Sequence, residues 1–158
     1  MKTRISCNDP RSSHRMVLSV AWLLLTPLAA VPNAAVAETL TVRVENLFTS
    51  SGHVLIALYD NANAFQSGDD KALRREKLPV DDSLEVVWAL DGLTPGDYGV
   101  ALFHDIDGDE VLNRNFVGMP KEPYGFSNNA RGTFGPPDFE AITFAFDGQP
   151  LTITIQPK

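Results

Sequence analysis

LTPGDYGVALFHDIDGDEVLNRNFVGMPKEPYGFSNNARGTFGPP, residues 93–137, divides into four parts with different chemistry. Residues 93–97 form a corner, because Pro95-Gly96 fixes one φ and frees the next. Tyr98 to Phe103 follows as a strand that is apolar or small on both faces, which predicts a central place in a sheet. Residues 105–113 make an acidic loop. The rest, 115–137, is rich in Pro, Gly and Asn and predicts one long irregular loop.

Outward from this stretch, the period of two recurs on both sides. Val86, Trp88 and Leu90 share one face of a strand, and Leu40, Val42 and Val44 alternate with Thr41, Arg43 and Glu45 in another. Thr49-Ser50-Ser51-Gly52 is turn chemistry before a more apolar strand, His53 to Tyr59, and the spacing predicts a hairpin. Residues 60–70 read as a polar loop with Phe65 beneath it. Residues 71–77 fit either a short helix capped by Asp69 or Asp70, or a charged edge strand. Toward the C-terminus Ile142, Phe144 and Phe146 alternate, Asp147-Gly148 turns the chain, and Leu151, Ile153 and Ile155 close it. The expected fold is all-β: an antiparallel Greek-key sandwich of about seven strands, with no helix of consequence.

The first 37 residues have the parts of an export signal. Lys2, Arg4, Arg11 and Arg15 form a basic leader, Met16 to Ala30 is apolar, and Ala35-Val36-Ala37 offers small residues for cleavage. The apolar run is shorter than the roughly 20 residues of a membrane span and is broken by Pro27. A cut between Ala37 and Glu38 is therefore expected, leaving residues 38–158 as one exported domain, periplasmic or secreted, with no membrane span. The only cysteine, Cys7, leaves with the leader, so neither disulfides nor thiol chemistry are expected in the domain. Residues 38–158 carry 19 acidic and nine basic side chains, a net charge of about −10. Such a surface repels nucleic acid and anionic lipid and favours solubility as a monomer.

The corner has a second implication. A Tyr two residues after Pro-Gly, opening a strand, has the spacing of the tyrosine corner, in which the phenol bonds the backbone upstream. On this corner, the DIDGDEVLN loop and FVGMPKEPYGFSNNARGTFGPPDFEAITF, the chain resembles the bacterial domain of unknown function 2141 family. The corner is also similar to those of immunoglobulin-like and prealbumin-like exported domains. The resemblance covers nearly all of residues 39–155 and implies an exported β-sandwich of unassigned activity. Glu110 departs from it, standing where Gly or another small residue is expected.

Two constellations carry candidate chemistry. Asp105, Asp107, Asp109 and Asn113 place oxygen ligands along one loop, a pattern that suits Ca²⁺, which takes six to eight oxygens. Against an EF-hand the match is partial. Gly108 comes two places early, Phe116 replaces the bidentate Glu, and further ligands must come from Glu110, Asn115, carbonyls or water. The alternative is a loop shaped by its own Asx bonds, with no ion. Tyr124, Phe126, Asn128, Asn129 and Arg131 form the second set: aromatics, amides and a guanidinium suited to a small polar ligand, a glycan or an envelope protein. Its alternative is structural, with Phe126 and Phe134 plugging one end of the sandwich.

His104, Asp105 and Ser127 supply the residue types of a hydrolase, but no Gly-x-Ser-x-Gly elbow accompanies them, and His53 and His104 do not announce a zinc site. The expected function is a non-catalytic binding or accessory module with a weak Ca²⁺ site. A purely structural envelope domain and a hydrolase using His104 are the alternatives.

Overall fold

A computed structural model of the chain describes residues 38–158. The expected export signal, residues 1–37, lies outside the described residues. Among the described residues, eight strands form two sheets: β1 (Thr39–Val44), β2 (His53–Tyr59), β3 (Arg74–Pro79), β4 (Val86–Asp91), β5 (Gly96–Asp105), β6 (Tyr124–Phe126), β7 (Thr143–Phe146) and β8 (Leu151–Ile155). The first sheet has the order β4–β1–β8. The second runs β3–β2–β5, with β6 and β7 end to end along the far edge of β5. This is an all-β sandwich with one strand more than the seven expected.

Burial explains which strand joins which sheet. In β1 and β4 every second residue is buried, so one face meets the core and the other meets solvent. Val42, Val44, Trp88, Leu90 and Ile155 from the first sheet pack on Val54, Ile56, Leu58, Val100 and Leu102 from the second. Each such buried side chain contributes about 1.5–3 kcal/mol. β2 and β5 are buried on both faces, which only the second sheet accommodates. Its outer face carries another cluster, in which Ala57, Tyr59 and Phe126 meet Phe139 and Ile142 of the short helix α2 (Phe139–Ile142).

The expected hairpin between β1 and β2 does not form. β1 pairs with β4 and β8, β2 with β3 and β5, so residues 45–52 cross between sheets instead. Leu47, buried within that crossing, anchors it to the core. Nor is the sandwich wholly antiparallel: β8 lies parallel to β1. The Asp147-Gly148 turn hands the chain from the second sheet to the first, so it does not impose hairpin direction.

Local chemistry settles the ambiguous segments. The polar stretch after β2 contains a helix, α1 (Ala62–Ser67), because the Asn61 side chain accepts the Ala64 N–H at 2.8 Å. Phe65 in this helix makes edge contacts with Tyr59 and Phe126. A 3₁₀ turn at Asp69–Lys71 precedes β3, the charged edge strand. The segment expected to be one irregular loop contains β6 and a tight turn at Ser127–Asn129, where Asn128 and Asn129 take φ of 58° and 51°. At the corner, Tyr98 is buried, its hydroxyl donates to the Thr94 carbonyl at 2.7 Å, and its ring meets Phe146.

Candidate functional site

The acidic loop grows out of the end of β5. Asp105, the last residue of the strand, is 0% exposed, and its carboxylate accepts the N–H groups of Gly108 at 2.7 Å and Glu110 at 3.1 Å. Asp107 and Asp109 each accept an amide two residues on, from Asp109 and Val111. Carboxylates two residues apart thus fold the loop onto themselves by Asx bonds. The cost falls on the backbone: Gly108 has φ of 82° and Glu110 φ of 61°. The second is the position where the resemblance leads one to expect Gly, and the left-handed backbone is the reason.

One oxygen from each of Asp105, Asp107 and Asp109 lies within 4.8 Å of the other two. The Asn113 amide donates to Asp107 and Asp109, at 3.1 Å each. All four residues named from the sequence therefore meet. Among the described residues no Lys or Arg pairs with these three carboxylates. The two further ligands considered are engaged elsewhere. Glu110 bonds Lys77 at 2.7 Å, and Asn115 Oδ1 accepts the amides of Val117 and Met119. A hard cation here has three carboxylates to draw on, with Asn113 offering Oδ1 only after its amide turns over.

Sequence reasoning missed Glu122. This carboxylate is 7% exposed and accepts the Ile106 N–H at 3.0 Å and the Asn113 N–H at 3.1 Å. It therefore staples the two ends of the acidic loop together. Between Lys121 and Pro123 a lone acid looks like any surface charge, and only the fold turns it inward.

The Tyr124–Arg131 set divides. Asn128 Nδ2 donates to the carbonyls of Ala141 and Thr143, and Asn129 binds the backbone of Thr154 and Gln156. Arg131 donates to the carbonyls of Tyr124 and Gln156 and lies 6.0 Å over the Tyr124 ring. Asn128 thus ties the turn after β6 to α2 and β7, while Asn129 and Arg131 tie it to the C-terminal strand. Tyr124 and Phe126 instead pair with Phe103 and Ala101 on the outer face of the second sheet, where they line a groove. Phe134, expected as a plug beside Phe126, is fully exposed.

His104 sits on the inner face of β5, fully buried, with Nε2 2.8 Å from the Ser51 carbonyl. Ser127, also buried, accepts the Val100 N–H at 2.9 Å and donates to the Ile142 carbonyl. Val100 and His104 are four residues apart on one strand, about 13 Å at strand rise. The two side chains are thus held apart, each committed to backbone.

Against known proteins, the family model described as an uncharacterized protein conserved in bacteria (DUF2141) matches residues 42–154, and the chain belongs to that family. No curated protein and no solved structure matches it.

Proposed function

We propose that this member of the family is an exported, non-catalytic binding module whose acidic loop takes Ca²⁺ weakly. The observation that carries the reading is the convergence of Asp105, Asp107 and Asp109 within 4.8 Å with no cationic side chain among the described residues to neutralise them. Like charges this close repel, and a divalent ion relieves the repulsion while drawing on oxygens already in place. The burial of His104 and Ser127 in separate backbone contacts supports the absence of catalysis by that pair. Export is supported by the leader, the apolar run and Ala35-Val36-Ala37. Mass spectrometry of the protein recovered from its bacterial host is expected to give Glu38 as the first residue; an uncut N-terminus overturns export by this route.

The cation is tested by scanning calorimetry with Ca²⁺ or with chelator. At about ten times the dissociation constant, one site adds about 1.4 kcal/mol, which raises Tm by roughly 3–7 °C in a domain of this size. Asp107→Ala is expected to abolish the shift. An unchanged Tm at millimolar Ca²⁺ removes the metal from the proposal. A structural envelope domain is the second reading. It is favoured by one observation: each of the three carboxylates already accepts at least one loop amide. The same calorimetry decides between them.

A further inference from the structure

The outer face of the second sheet is hollow where it passes the acidic loop. Leu55 and Ala57 of β2 lie beside Ala101 and Phe103 of β5, in register, and Tyr124 and Phe126 of β6 continue the same surface. Small side chains at Ala57 and Ala101 lower the floor. Residues from the segment 110–120, with Val117 and Met119 largely exposed, and residues 132–136 complete its lining. The groove has a volume of about 1050 Å³, just above the usual range for small-molecule sites. Its floor residues Ala57, Phe103 and Phe126 are themselves little exposed. The groove is thus a recess over packed apolar side chains with a few charged groups at its edge, the usual form of a ligand site.

Its rim has a charge unlike the rest of the domain. Arg75 and Lys77 of β3, opposite Ala57 and Leu55, share the groove's face of the sheet, and Arg114 stands on the loop wall. Three of the domain's nine cations therefore border the groove, against only two of its 19 acids, Glu76 and Glu110. Arg75 and Lys77 are bonded to Asp70 and Glu110; the first pair is largely exposed and the second partly so. Such pairs exchange partners readily for a better-placed anion.

We propose that this groove binds an amphipathic anion, a carboxylate on a long unbranched apolar chain. The chain lies along the floor of Leu55, Ala57, Ala101 and Phe103, and the carboxylate meets Arg75 and Lys77. Charge complementarity selects this occupant: a neutral apolar molecule leaves the cationic edge unused, and a bilayer of anionic lipid is repelled by the surrounding acidic surface. The inference rests on reading the domain as a binding module but not on Ca²⁺, since no groove contact requires an ion in the loop.

The test is isothermal titration calorimetry of the full chain with dodecanoate below its micelle concentration, in chelator. Dodecanol and dodecyltrimethylammonium serve as matched neutral and cationic probes. Dodecanoate is expected to bind more tightly than either. The double variant Arg75→Gln, Lys77→Gln is expected to weaken dodecanoate at least about tenfold, the worth of one hydrogen bond to a charged group, while leaving dodecanol unchanged. Ala101→Trp, which fills the floor, is expected to abolish binding of both. If that variant fails to fold, Val117→Asp with Met119→Asp on the exposed wall is expected to weaken dodecanoate in its place. Absence of dodecanoate binding overturns the proposal, as does binding that all these variants retain. Equal affinity for dodecanol overturns the anionic part and leaves the binding module standing. A Ca²⁺-induced Tm shift without dodecanoate binding separates loss of the groove from loss of the cation.

Discussion

Ser127 shows how much one hydroxyl does inside this sandwich. It is 0% exposed and holds the Val100 amide and the Ile142 carbonyl at once, joining β5 to α2. Ser127→Ala leaves a buried N–H without a partner, which costs about 1–3 kcal/mol. Urea unfolding is expected to show a lowered midpoint with an unchanged slope; a loss below about 0.5 kcal/mol means another group takes over the amide. Tyr98 is the opposite case for legibility. Its burial and its bond to Thr94 follow from five neighbouring residues, because a corner is a local object. Ser127 gives no such signal, since its partners lie 27 and 15 positions away in sequence.

The last strand is held by polar contacts as well as by the core residues Leu151, Ile153 and Ile155. β8 lies parallel on β1, and beyond it Tyr124 and Lys158 exchange both backbone hydrogen bonds, which extends the pairing to β6. Asn129 secures this end: its Oδ1 accepts the Gln156 amide at 2.8 Å while its backbone holds φ of 51°. Asn129→Ala loses the side-chain bonds to Thr154 and Gln156 and also meets the left-handed penalty of about 1–2 kcal/mol; Asn129→Gly loses the bonds alone. Hydrogen exchange is expected to quicken at Gln156 in both variants, while only the alanine variant loses more than about 1 kcal/mol of global stability. Equal stability in the two assigns the role of Asn129 to its side chain and not to its backbone. A periodic pattern locates strands such as β8 well. It is silent on direction, which depends on which sheet the preceding turn leaves.

Across the whole molecule, charge works against compactness. The chain carries a net charge of −7, and residues 38–158 about −10, with three of their nine cations and two of their 19 acids lining the groove. Raising ionic strength from about 0.01 to 0.15 M shortens the screening length from about 30 to 8 Å. Stability by chemical unfolding is expected to rise with NaCl in the absence of Ca²⁺. A fall with salt instead means that attractive pairs such as Lys77–Glu110 and Arg43–Glu85 outweigh the self-repulsion.

Alternating apolar residues in β1, β4 and β8, the two-sided apolarity of β2 and β5, and the Pro-Gly-Asp-Tyr corner together specify an all-β sandwich, because each is a pattern within one short segment. The convergence of Asp105, Asp107, Asp109 and Asn113 is legible for the same reason: a loop of nine residues cannot keep them far apart. What the tertiary structure alone decided is long-range. The crossing of residues 45–52 between sheets, the parallel seat of β8, the inward turn of Glu122 and the groove over Ala57 and Ala101 each depend on residues brought together from distant positions. Local sequence carries the preference of each segment for a face and a shape. Which face then meets which is settled by packing all the segments at once, and no single stretch contains that information.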